Sequence, residues 1–219
     1  MLLGHRLLRP LMVISVPIGF FGASVTALYI FYATRELGLS PLVIGAIFAV
    51  GGVAALPGAV LAERAGRRFG VGRAILGGYA VVGVAALCIP LAAGPTAVVI
   101  AVLMLGRVLD GLSETVANIH QWTLRQAMTP DRLAGRVTGG HRFIVYGACA
   151  LGAVSSGALG SLIGVRAALS VFAVGIIVSP LLAVSSPLSS LREQPADVDE
   201  DAVAEADASR ATVAAADAD

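Results

Sequence analysis

Arg107, Asp110, Glu114, Asn118, Gln121 and Arg125 recur at steps of three or four residues within 104–125. That spacing sets all six on one face of a helix. The run before them, 96–105, is uncharged and continues the same helix. Ionisable groups in so apolar a segment are costly unless they face a bundle interior or a water-filled cavity. Three kinds of chemistry fit. Arg107 can pair with Asp110 or Glu114 and neutralise an interior site. With two acids and one Arg, the spare carboxylate can exchange a proton and serve ion coupling. The group can also touch a substrate directly. Asn118 and Gln121 lie nearer one end of the helix, where they can hydrogen-bond cargo or wet a vestibule, and the vestibule is the expectation. His120 falls off the stripe and is assigned to the interface, not to a proton relay.

Such a stripe needs walls, and the composition supplies them. The chain has 219 residues, of which 57% are hydrophobic and 13% charged. Its mean hydropathy is +0.87, far above that of a soluble domain. A net charge of +1 leaves no electrostatic footprint for nucleic acid. Every basic residue counted among the 15 Lys and Arg is Arg. Cys88 and Cys149 sit in apolar runs and read as reduced core residues. Nine of the 14 acids lie beyond Arg192, so 193–219 is expected to be a disordered acidic tail.

The expected fold is all-α and membrane-embedded, with a domain over 1–192. Its six spans are placed at about 11–33, 42–62, 74–93, 96–124, 141–163 and 167–191. The first run is too long for a signal-peptide core, and Pro17 with Gly19 marks a kink. Ser40-Pro41 suits a helix start. Gly51, Ala55 and Ala59 form one small-residue face, and Gly152, Ser156, Gly160 and Gly164 form another; both favour close helix contact in lipid. The stretches 34–41, 63–73 and 126–140 read as loops. An even number of spans puts both termini on one side. Placing them in the cytoplasm of an inner (plasma) membrane leaves eleven arginines of the 1–192 domain inside and only Arg35 and Arg166 outside.

Gly58-Ala-Val-Leu-Ala-Glu63-Arg64-Ala-Gly66-Arg67-Arg68 resembles the signature loop of the major facilitator superfamily, with Glu63 where the family usually has Asp. The stretch from Arg35 to Pro41 is similar to the outer loop before the eighth span in the branch of macrolide- and siderophore-type exporters. Thr123-Leu-Arg-Gln, Pro130 and Gly135-Arg136-Val137 are similar to that branch's tenth-to-eleventh loop. The resemblance covers about 1–192 and implies the C-terminal, six-helix half of a transporter. It implies a gating role for Gly58, Glu63, Arg64, Gly66, Arg67, Arg68 and Arg136, with Glu63 as a latch between cytoplasmic helix ends. The residues alone assign Gly58 to close contact, Gly66 to the chain reversal, and the arginines to anionic headgroups or topology. Glu63 can pair with a nearby Arg or face a helix N-terminus.

The sequence shows no nucleotide-binding Gly-Lys loop, no metal-ligand cluster and no nucleophile–base arrangement, so neither an enzyme nor a cofactor is expected. The expected function is secondary active transport, implied by the resemblance to be proton-coupled export of small hydrophobic drug-like molecules. The stripe from Arg107 to Gln121 would carry cargo and coupling. The expected partners are the lipid bilayer, the substrate, the proton, and either an N-terminal six-span half or a second copy of the chain. A fragment or split transporter is favoured over a homodimer. A non-transporting membrane scaffold or accessory subunit is the competing reading.

Overall fold

The computed structural model describes residues 8–127 and 131–183. They form α1 (Leu8–Phe31), one π-helical turn (Tyr32–Glu36), α2 (Pro41–Phe69), α3 (Val71–Leu91), α4 (Thr96–Ala127), α5 (Asp131–Ile163) and α6 (Val165–Leu181). Five helical stretches are long and apolar enough to cross a membrane; α6 is shorter. The expected tail over 193–219 lies outside the described residues.

Helix starts and stops follow local chemistry. Ser40 caps α2, its Oγ accepting from the Val43 amide at 3.4 Å, and Pro41 occupies the first turn. α2 and α3 meet at Gly70, whose φ of +85° is open to glycine at little cost. Gly164, at φ +86°, makes the same kind of break between α5 and α6. α1 runs through Pro17 as one helix.

Several expected boundaries shift. Residues 63–69 are the last turns of α2, not a loop, and the chain reverses at Gly70, not Gly66. Apolar contact at Ala62 and the Gly66–His120 packing keep this segment wound onto α4. Half of the 34–41 loop is the π turn and the start of α2, and only 37–40 remain non-helical. Helical structure also replaces most of 126–140, since α4 ends at Ala127 and α5 begins at Asp131.

The helices pack as an arc in the order α2, α4, α3, α6, α1, α5. Contacts within the arc are backbone-close. A Cβ on Gly58 would lie 2.9 Å from the Leu112 carbonyl oxygen, and one on Gly51 would lie 3.2 Å from that of Arg107. The packed face of α2 is therefore Gly51, Ala54 and Gly58; Ala59 is exposed, contrary to the expected Gly51–Ala55–Ala59 stripe. On α5, Gly152 meets the Phe20 backbone of α1, and Ser24 Oγ lies 2.9 Å from the Gly152 oxygen. Ser156 is buried, and Gly160 abuts Leu28. That stripe packs as expected, while Gly164 serves as the turn.

Two apolar clusters hold the arc. One gathers Leu28, Ile47, Leu103, Leu169 and Phe172; the other gathers Ile14, Ile75, Tyr79 and Leu124. The α1 backbone approaches that of α2 or α4 at most marginally. A cleft opens in that gap.

Candidate transport site

The cleft encloses about 900 Å³ and is walled by α1, α2, α3 and α4, with Cys149 from α5 and Ile176 from α6. Most of its lining is apolar or glycine. The exceptions cluster on α4, where Arg107, Asp110, Glu114 and Asn118 all face in. The periodicity of the stripe and the cleft in the bundle thus select the same side of one helix.

Arg107 Nη1 donates to Asp110 Oδ2 at 2.7 Å, and each side chain is only about a quarter exposed, at 25% and 23%. The Arg107 guanidinium lies 4.0 Å from the Phe48 ring centroid and 5.8 Å from that of Tyr29. The two rings meet edge to face at 5.3 Å. A delocalised cation suits such stacking, because it is weakly hydrated and the ring faces are electron-rich. Between the two acids open to pairing, Arg107 selects Asp110. Glu114 forms no ion pair among the described residues; Asn118 Nδ2 approaches its Oε1 at 3.5 Å.

Asn118 and Gln121 diverge from the vestibule role expected of both. Asn118 is exposed to the cleft, whereas Gln121 is buried. The Tyr79 hydroxyl lies 2.6 Å from Gln121 Oε1 and 3.0 Å from Asn118 Oδ1, so one proton serves two acceptors. Gln121 Nε2 donates to Ser15 Oγ at 2.5 Å, and Ser15 in turn donates to the Leu11 carbonyl at 2.6 Å. This chain ties α1, α3 and α4 together below the cleft, and it fills the hydrogen-bonding capacity that would otherwise make Gln121 costly to bury. Arg125, the last member of the stripe, leaves the cleft; its Nη1 donates to His141 Nδ1 at 2.8 Å.

His120 is not interfacial. It is buried, its Nε2 donates to the Ala62 carbonyl at 2.8 Å, and its ring fills the space above Gly66. Gly66 of the signature segment thus makes room for an imidazole. Gly58 lies flat against Leu112 and Thr115 of α4. Glu63 pairs with Arg67 at 2.7 Å, both 69% exposed, a surface pair one turn apart. Arg68 lies 5.6 Å from the Phe69 ring, and Arg64 sits on the same helix end. Arg136 belongs to α5, but its side chain lies outside the described residues, as does Pro130. The helix end at Gly70, the Gly66–His120 contact and the Arg125–His141 bond gather Arg64, Arg67, Arg68, Arg73, Arg125 and Arg142 at one end of the bundle. Arg166, whose Nε donates to the Pro90 carbonyl at 2.6 Å, marks the other end with Arg35.

A family model described as the Major Facilitator Superfamily matches residues 11–213. The chain belongs to the major facilitator superfamily. Members of this superfamily are membrane transporters rather than enzymes, so the chain is a multi-pass membrane protein of the transport class. Comparison with curated proteins and with solved structures gives no match. Within this superfamily frame, the sequence stripe located the cleft-lining charges of α4. It missed Tyr29, Phe48, Tyr79 and Ser15, which reach the stripe from three other helices. A lone aromatic or serine in an apolar run carries no periodic signal, so only the packing reveals them.

Proposed function

We propose that this chain is the substrate-binding half of a proton-coupled exporter of small hydrophobic molecules. The observation that carries the reading is the unequal pairing of two acids in one cleft. Asp110 is neutralised by Arg107, and Glu114 faces the same space in hydrogen-bonding reach of Asn118 and in no ion pair among the described residues. A carboxylate without a cation, in a largely apolar cleft, is suited to alternate between a proton and a cargo. Apolar walls and the Tyr29–Phe48 pair supply contact area for a hydrophobic molecule. The cleft lies on the open side of the arc, where a partner six-helix half, or a second copy related by an axis along the membrane normal, completes the pathway. The arginine-rich end is assigned to the cytoplasm of the plasma membrane, with both termini on that side. There Gly58, Glu63, Arg64, Gly66, Arg67, Arg68 and Arg136 form the gate. Glu63 exchanges its exposed Arg67 partner for the partner half as the gate closes.

The test is efflux of a lipophilic dye from cells expressing the complete assembly. Wild type lowers dye accumulation, and a protonophore abolishes the effect. Glu114→Gln accumulates dye like the empty strain at equal membrane abundance. Undiminished efflux by Glu114→Gln removes this residue, and the coupling scheme with it.

A further inference from the structure

The side chains below the acid cluster fit two hydrogen-bond arrangements, and Glu114 decides between them. In the first, Asn118 Nδ2 faces Glu114 Oε1 at 3.5 Å and Asn118 Oδ1 faces the Tyr79 hydroxyl at 3.0 Å. The same hydroxyl lies 2.6 Å from Gln121 Oε1. Gln121 cannot turn to relieve this competition. Its Nε2 is committed to Ser15 Oγ, and Ser15 donates its own proton to the Leu11 carbonyl. Tyr79, Gln121 and Ser15 are all buried. One hydroxyl proton is therefore divided between two amide oxygens, while no donor reaches the hydroxyl oxygen among the described residues.

A half-turn of the Asn118 amide exchanges its oxygen and nitrogen at nearly the same positions. Nδ2 then donates to the Tyr79 oxygen, the Tyr79 proton is left wholly to Gln121, and Oδ1 faces Glu114. That oxygen repels a carboxylate but accepts from a carboxylic acid. With Glu114 protonated, the bonds run head to tail, from Glu114 through Asn118, Tyr79, Gln121 and Ser15 to the Leu11 carbonyl. Each donor has one acceptor, and bonds in such a chain polarise and strengthen one another in a low-dielectric interior. With Glu114 charged, the chain breaks at Asn118.

We propose that Asn118 is a positioning residue whose amide turns over when Glu114 takes up a proton, completing a hydrogen-bond chain from the cleft to α1. The inference rests on the coupling role proposed for Glu114 and extends it, because the proton then tightens the tie between α4, α3 and α1. The other charged or titratable side chains lining the cleft around Glu114 are Arg107 and Asp110 of α4, Tyr29 of α1, Cys88 of α3 and Cys149 of α5; α2 and α6 contribute none among the described residues. A smaller recess that Asn118 and Tyr79 also line adds Arg125 of α4 and His141, Arg142 and Tyr146 of α5.

Asn118 is the only asparagine in the chain. Isotope-labelled asparagine therefore gives a single carboxamide NH2 pair in the NMR spectrum of the full chain in detergent. The expected result is a pair that moves between two limits as pH is varied through neutrality, and a complete loss of that titration in Glu114→Gln. Tyr79→Phe keeps the ring and removes the oxygen that accepts from the turned amide, so it displaces the low-pH limit more than the high-pH limit. A pair that does not move with pH in wild type overturns the inference. So does a titration that persists in Glu114→Gln, where only the other groups drive it, or a low-pH limit in Tyr79→Phe equal to that of wild type. The first two measurements do not depend on the folding of Tyr79→Phe. Dye efflux decides the coupling role separately: if Glu114→Gln exports dye undiminished while the wild-type amide titrates through Glu114, the chain stands and its part in transport falls.

Discussion

Asp110 and Glu114 sit one turn apart on α4 yet meet different partners, and the divergence begins with Arg107. Its side chain stacks on Phe48 and reaches Asp110 at 2.7 Å, which leaves Glu114 to Asn118. Removing the Asp110 charge strands a stacked, mostly buried guanidinium. Asp110→Asn is therefore expected to cost about 2 kcal/mol of stability, seen as a lower melting temperature in detergent. Glu114→Gln breaks no ion pair and should melt within a degree or two of wild type, within the range of ordinary surface substitutions. Equal melting of the two variants would contradict the assigned pairing. The sequence allowed one acid to be spare, because two carboxylates lie within two turns of one arginine, Arg107. It did not show which, since the choice depends on Phe48 and Tyr29, contributed by helices distant in the chain. His120 illustrates the opposite error. Its position off the stripe pointed to an interface, whereas the missing side chain of Gly66 opens a buried slot for it.

At the scale of elements, glycine sets how closely the helices approach. Gly58 lies against Leu112 with no room for a Cβ, while Gly147 on α5 has nothing near the place its Cβ would take. Gly58→Val should force α2 away from α4 and lower stability by about 1–3 kcal/mol. Gly147→Ala should be neutral or slightly stabilising through helix propensity. Thermal unfolding of the two variants distinguishes packing from a general intolerance of substitution. The apolar runs were readable from composition, as was the turn at Gly164, whereas the reversal expected at Gly66 falls at Gly70. The stretches 63–69 and 126–127 are helical where charge density predicts loops. Arginine-bearing turns remain helical when their other face still packs, as Ala62 and Gly66 do against α4. The α2 contact face was misjudged for a related reason. Gly and Ala crowd several faces of that helix, and only the partner decides which of them is used.

Considered whole, the molecule is an arc with its charged groups on the open side and large apolar side chains facing outward. Leu42, Val154 and Leu162 are 84%, 76% and 80% exposed, which suits lipid or a partner helix but not water. Cys88 and Cys149 both line the cleft, and both thiols are free. They provide a probe of what closes it. In the complete assembly, a water-soluble maleimide should label these cysteines more slowly than in the isolated chain, and bound cargo should slow the reaction further. Labelling that is indifferent to both partner and cargo would argue that the cleft is not the transport path. Superfamily membership follows from the match over most of the chain; the proposed coupled ion rests on the charges inside the cleft, and the proposed direction of transport on the branch resemblance alone.

Those charges are tested most directly by following protons. The complete assembly is reconstituted in vesicles enclosing a pH-sensitive dye, and a cargo gradient is imposed without a pre-formed pH gradient. The account predicts that cargo movement drives a counter-flow of protons in wild type. It predicts that Glu114→Gln abolishes this flow although the protein is inserted and folded. Proton movement at the wild-type rate in Glu114→Gln would show that the unpaired acid of the cleft is not the coupling group.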